Sequence, residues 1–502
     1  MTTDTRRNSI DIDQEDFRKI GHELVDRIAD LLSSMGDRPV TTKNTPKELG
    51  DLLGRHPLPE NEHSADQLLA TATELLFENS LFNGHPKFFG FITSSAAPIG
   101  VLADLLAAAV NPNVGGQILS PIATEIEKQT IGWLCDFIGV PTSYGGILVS
   151  GGNMANFTAF LAARTAMAPK SLKEQGLQGI EKKLIVYCSK STHTWIDKAA
   201  ILFGHGSDSV RWIATDKSGI MDNDALKRTI VSDLEHGHQP FLVVGTAGDV
   251  STGIVDDLKA IASICKENKL WFHIDGAYGI PAAVLPEMKR LFEGVLDADS
   301  IAMDPHKWLY SPLEAGCTLV KNPQHLIDTY SSHPEYYNFS LSEEGGSQNY
   351  FEFGLQNSRG FRALKVWLAL QQVGRNGYAK LIGEDVELAQ LFFELADKHP
   401  ELEAKTNNLS ITTLRYVPKD ISPTEEENTG YLDRLNEAVL NNLQQGGRIF
   451  LSNAIVNQRY HLRACIVNFR TTKKDIEESI EIIVQTGRAT HNTLQEKANT
   501  EA

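Results

Sequence analysis

Several features that would narrow the class of these 502 residues at once are missing. The five cysteines, Cys135, Cys188, Cys265, Cys317 and Cys465, are scattered, odd in number and form no CxxC pair. That disfavours a disulfide framework and fits a reducing compartment. Positive charge is also short: 47 Lys and Arg stand against 64 Asp and Glu, for a formal net charge of −17. A nucleic acid or an anionic membrane is therefore not expected as the principal partner. The most apolar stretch, IGVLADLLAAAV, is too short to span a bilayer and is interrupted by Asp104. The opening MTTDTRRNSIDIDQEDF lacks the apolar centre of a signal peptide, so a cytoplasmic protein is expected. Neither GxGxxG nor GxxxxGK[ST] occurs, which leaves nucleotide-binding readings unsupported.

What is present is ordinary in amount and ordered in arrangement. Hydrophobic residues at 41% and charged residues at 22% describe a globular chain, and its length calls for two or three domains. Phe17, Ile20, Leu24, Ile28 and Leu31 recur at helical spacing, and the proline- and charge-rich stretch from 40 to 65 reads as an extended connection. Residues 1–84 thus form an N-terminal helical segment with little core of its own, suited to packing on a partner subunit. From 85 to 385 the runs GGILVS, KLIVYC, FLVVGT, KLWFHID and AGCTLV alternate with helical patterns. That alternation implies an α/β domain with a mostly parallel sheet, where ligands collect at the carboxyl ends of strands. Residues 386–502 read as a small C-terminal α/β domain.

Chemistry concentrates at the strand ends. In SIAMDPHKWLY, Lys307 stands between His306 and Trp308 in an apolar setting. Either its charge snorkels to water past the tryptophan or its amine is needed uncharged as a nucleophile. LWFHIDGAYG ends an apolar strand in Asp275, which must be paired or protonated if buried. A lone aspartate there is usually a cap or a salt-bridge partner. The alternative is a carboxylate facing a cationic ring nitrogen, as pyridoxal phosphate (PLP) sites require. ILVSGGNMANF places Gly152 and Asn153 between a strand and a helix whose free N–H groups suit a phosphate. VYCSKSTHTWIDKAA places His193 just beyond another strand. Each feature alone is weak, but in this order all four can converge on one crevice.

With these motifs the chain resembles the PLP-dependent group II amino-acid decarboxylases, the family of aromatic-L-amino-acid, histidine and glutamate decarboxylases. DPHKWL, HIDGAYG and STHTWIDKAA carry the likeness, and SPIATEIEKQTIGWLCDFIGVP and HPKFFGFITSSAAP extend it. The resemblance implies the aspartate aminotransferase fold type I, PLP as cofactor, an amino acid as the small-molecule substrate, and a homodimer with shared active sites. It further implies that Lys307 forms the Schiff base with PLP and Asp275 pairs with the pyridinium nitrogen. His193 would stack on the ring, Ala277 would pack on its other face, Gly152 and Asn153 would contact the phosphate, and His306 would lie near the phosphate or the substrate. Tyr336, in the pattern Pro334-x-Tyr336, matches the proton donor that returns a proton to Cα.

The implied reaction is decarboxylation of an L-amino acid, aromatic first, acidic or diamino second. An aldehyde synthase or another fold-type I PLP enzyme is the alternative, and a non-catalytic scaffold is the rival of another class. Five positions depart from the family pattern. Asp249 and Val250 replace threonines, Gly115 and Gly116 replace bulky residues and so leave space for substrate, and Ser94 replaces a threonine as a substrate-side candidate.

Overall fold

The computed structural model describes residues 10–332, 348–423 and 425–501. Apolar runs bounded by turn residues form a seven-stranded sheet. Its strands are β1 (Gly145–Val149), β2 (Leu184–Ser189), β3 (Val210–Ile213), β4 (Gln239–Thr246), β5 (Trp271–Asp275), β6 (Ser300–Met303) and β7 (Gly316–Val320). The order across the sheet is β1-β7-β6-β5-β4-β2-β3. Only β7 runs against its neighbours β1 and β6, and the remaining pairs are parallel. All residues of β2, β5, β6 and β7 are buried, as a sheet covered by helices on both faces requires. Parallel strands align their carboxyl ends, so Ser189, Thr246, Asp275 and Met303 share one edge of the sheet.

A second sheet contains β8 (Leu402–Asn408), β9 (Ile411–Tyr416), β10 (Ser452–Val456) and β11 (Arg459–Cys465), antiparallel in the order β10-β11-β9-β8. With the helices Glu426–Gly446 and Lys473–Glu501 it encloses its own core, in which Phe392, Leu414, Leu435 and Ile483 are buried. The expected boundary at 385 falls inside the helix Arg362–Lys398. That helix leaves helical geometry at Gly374, whose φ of 67° a side chain would resist.

The N-terminal helix Gln14–Ser33 is capped by the Asp13 carboxylate, which accepts from the N–H groups of Glu15 and Asp16. None of its residues is buried, and Phe17 and Val25 remain exposed. The stretch expected to be extended between 40 and 65 contains the helix Pro46–Leu53 instead. Thr45 and Glu48 close a capping box around Pro46, a start signal that the proline and charge content obscured.

Candidate active site

Asp275 ends β5 at 6% exposure. Its Oδ2 accepts from the Trp195 indole N–H at 2.7 Å and its Oδ1 accepts from the Ala277 N–H at 3.2 Å. Behind it His273, one pleat back on the same strand, lies between the Ser300 hydroxyl at 2.8 Å and the Asn156 amide oxygen at 2.7 Å. Burial holds the His273 imidazole below its ordinary pKa, so this support is neutral.

β1 leads through Gly151, at φ 132°, into the helix Gly152–Met167. A Cβ at Gly152 would stand 2.6 Å from Asp304 Oδ2 and 3.4 Å from the Ala277 Cβ, so only glycine permits this approach. The unpaired N–H groups of that helix start therefore open directly beside the ends of β5 and β6.

β6 delivers the lysine turn. Lys307 Nζ lies 3.0 Å from Asp304 Oδ2, while Asp304 Oδ1, buried, has no hydrogen-bond partner among the described residues. His306 Nδ1 accepts from the Ala315 N–H at 3.1 Å, which leaves its proton on Nε2, 3.8 Å from Asp304. Burial pushes the His306 pKa down. His193 Nδ1 likewise accepts, from the Trp195 N–H at 3.2 Å. Although His193 is exposed toward the open crevice, desolvation by the surrounding walls lowers its pKa against the pull of Asp275.

These groups line one cavity of about 800 Å³ that includes Gly152, Asn153, His193, Asp275, Ala277, His306 and Lys307. Tyr336 lies outside the described residues. Ser94 does not line the cavity: it is buried behind it, its hydroxyl donating to the His306 carbonyl at 2.8 Å, and the adjacent Thr93 lines the wall instead. Gly115 leaves no space for substrate within this chain, because a Cβ there would meet the Asn357 carbonyl at 2.2 Å. The 113–117 segment packs on its own chain, with the Val114 N–H donating to Arg359. Asp249 turns its carboxylate onto its own loop, accepting from the N–H groups of Ser251, Thr252 and Ile254, while Val250 faces the cavity.

Two residues went unnoticed in the sequence. Trp195 fixes Asp275, and its only signal was its position two residues after His193. Arg463 on β11 reaches the cavity from the small domain, with Nη1 donating to the Phe91 carbonyl at 2.9 Å and to Ser452 at 3.0 Å. Its Nε and Nη2 have no partner among the described residues, and nothing in the strand pattern distinguishes it from Arg415.

A lysine amine, a strand-end carboxylate and a glycine-lined helix start around one cavity meet the three needs of PLP: a covalent hold, a partner for the ring nitrogen and a phosphate seat. The fold and site are those of a fold-type I PLP enzyme. The pyridoxal-dependent decarboxylase conserved domain matches residues 46–414, and the chain belongs to that family. It is 32% identical over 478 residues to an aromatic-L-amino-acid decarboxylase of Bacillus atrophaeus, covering 95% of this chain and 96% of the relative. A phenylacetaldehyde synthase of a Rosa hybrid cultivar is 30% identical, with 96% of each chain covered. The crystal structure of Oryza sativa TDC with PLP and tryptamine superimposes with a TM-score of 0.88 at 26% identity, covering 97% of this chain and 99% of that one. The protein is a PLP-dependent amino-acid decarboxylase.

Proposed function

We propose that the substrate is an aromatic L-amino acid, released as the amine and CO₂, and that the enzyme works as a cytoplasmic homodimer with shared active sites. The convergence of Lys307, Asp275 and the Gly152 helix start on one cavity supports PLP chemistry, and the decarboxylase family match supports the reaction type. The apolar cavity walls Phe91, Ile92, Val250 and Leu313, together with aromatic decarboxylases among the relatives, support an aromatic side chain.

Bound PLP supplies the electron sink that a carbon losing CO₂ requires. Lys307 would hold the cofactor through its amine, the position for which a substrate amine would compete. Asp275, pinned by Trp195 and the Ala277 N–H, presents a carboxylate that keeps a proton on the ring nitrogen. The helix start at Gly152 and Asn153 seats the phosphate. His193, neutral by desolvation, supplies a flat wall rather than a competing positive charge. Tyr336 delivers a proton to Cα after CO₂ departs, which sends the product to amine rather than aldehyde.

One observation favours a second reading. Arg463, with two unpartnered nitrogens at the cavity, suits an acidic substrate side chain. Incubation with aromatic, acidic and diamino acids, reading CO₂, amine, ammonia and hydrogen peroxide, decides both questions. Turnover of an aromatic acid to amine without peroxide is expected. Turnover of glutamate alone, or peroxide formed in step with CO₂, overturns the first reading.

A further inference from the structure

Asp385 is 2% exposed within the helix Arg362–Lys398, far in sequence from the cavity. Its Oδ2 accepts from the Trp308 indole N–H at 2.9 Å and from the Tyr310 hydroxyl at 2.7 Å. These donors flank the lysine turn on its C-terminal side. Between them, the Leu309 carbonyl accepts from the hydroxyl of Tyr378, on the same helix, at 3.0 Å. One helix thus grips three consecutive residues immediately after Lys307.

The gripped residues reach the cavity by short routes. The Tyr310 N–H donates to the Lys307 carbonyl at 3.3 Å, and Tyr310 holds φ at 55°, a left-handed conformation that a bulky side chain resists. Trp308 stacks on Tyr278, ring centroids 5.0 Å apart, and Tyr278 follows Ala277 in the cavity wall.

A buried carboxyl is a costly way to fill this space. Among the described residues no cation is paired with Asp385: the groups facing it are Trp308, Tyr310 and the Asn468 backbone, with the Glu384 charge nearby adding to the cost. Burial pushes its pKa up to about 7. What a carboxyl offers here and an apolar residue does not is one acceptor shared by two donors at a fixed angle.

We propose that Asp385 is a positioning residue for the decarboxylation: by accepting from Trp308 and Tyr310 together, it fixes the turn that carries Lys307 and so sets where the lysine amine stands in the cavity. The proposal rests on Lys307 being the cofactor lysine, which Lys307→Ala tests separately.

The test compares Asp385→Leu, Asp385→Asn and Tyr310→Phe in the full chain, reading three quantities. These are the rate at which apoprotein acquires PLP that borohydride fixes to Lys307, the split between kcat and KM, and the melting temperature. Asp385→Leu should slow attachment and lower kcat by about ten-fold, the scale of a lost orienting hydrogen bond to a charged group, with KM little changed. Asp385→Asn, uncharged but still an acceptor, should recover most of both, and Tyr310→Phe should fall between. If Asp385→Leu loses only melting temperature while attachment and kcat stay at wild-type values, Asp385 is merely structural and the proposal fails. It fails equally if Asp385→Asn is as slow as Asp385→Leu. Should Asp385→Leu not fold, the double variant Trp308→Phe with Tyr310→Phe, which leaves an aromatic ring at each position and removes both donors, decides by the same two rates.

Discussion

At the scale of single residues, the proposed roles divide into holding the cofactor and steering the reaction. Lys307→Ala should abolish turnover and leave no PLP fixed by borohydride. A variant that still fixes PLP would show that another amine does the work. Asp275→Asn keeps an acceptor for the Trp195 indole but turns its NH2 toward the Ala277 N–H, and it no longer holds a proton on the ring nitrogen. PLP should remain bound while kcat falls by several orders of magnitude, since breaking a buried charge pair costs about 3–5 kcal/mol. Absorbance titration with PLP and steady-state kinetics separate the two effects. Tyr336→Phe keeps the ring and removes the hydroxyl. CO₂ release should continue while aldehyde, ammonia and peroxide replace the amine, and wild-type amine yield would assign the proton to another group.

Residue identity was the most legible level. Lys307, Asp275, His193, Gly152, Asn153, Ala277 and His306 were readable because each sits in a short motif at a strand end, and they line one cavity. Their roles remain for the variants above to decide. Trp195 and Arg463 were not readable, because what distinguishes them is a partner, or the lack of one, on another element.

Among the elements, strand length decided what could be read. β2, β4, β5 and β7 announce themselves as apolar runs, whereas β3 and β6 have four residues each, too few to show a period. β8, LEAKTNN, is an edge strand with a mostly half-buried pattern and a register shift between Ala404 and Thr406, so its alternation is broken. β4 carries a testable electrostatic consequence. Asp256, buried, accepts from the N–H groups of Thr246 at the end of β4 and of Met221. Burial, helped by Asp249 and Asp216, raises its pKa to about 6. The folded protein therefore keeps a proton that the unfolded chain releases near pH 4, and stability falls as pH rises from about 4 to 6. Buried histidines act oppositely: His205, pushed down to about 4, adds stability as pH rises to its unfolded value. Comparison with Asp256→Asn isolates the first effect. Urea midpoints of the variant should lack that decline, by up to about 1.4 kcal/mol per pH unit. A parallel decline in both proteins would mean that Asp256 is ionised throughout.

For the whole molecule, one surface stands out. The helix Pro98–Val110 exposes Leu102, Leu105, Leu106 and Val110, and Ile118, Leu119 and Ile122 are exposed shortly after it in the chain. An area of that extent suits burial against a second copy. Leu105→Asp with Leu106→Asp should shift sedimentation from dimer to monomer and remove activity with it, whereas an active monomer would exclude shared sites. If the 111–117 segment serves the site of the other subunit, confirmed heterodimers of a Lys307 variant with a variant in 111–117 should regain part of the activity. The two cores and the mostly parallel sheet were legible in the alternation of strands and helices. The helix Pro46–Leu53 was not, because composition masked its cap.

The reversed direction of β7 has a consequence for how the site comes together in time. Because β6 and β7 form an antiparallel pair, with Met303 opposite Cys317, the lysine turn is the loop of a hairpin and closes between near neighbours in the chain. The seat at Gly152 depends on β1, whose Val149 pairs with Gly316 from the far end of the domain. Closing that long loop costs more entropy and is the slower event. A refolding chain should therefore order the lysine turn before it can bind phosphate, so PLP captures the protein late, at the step that joins β1 to β7.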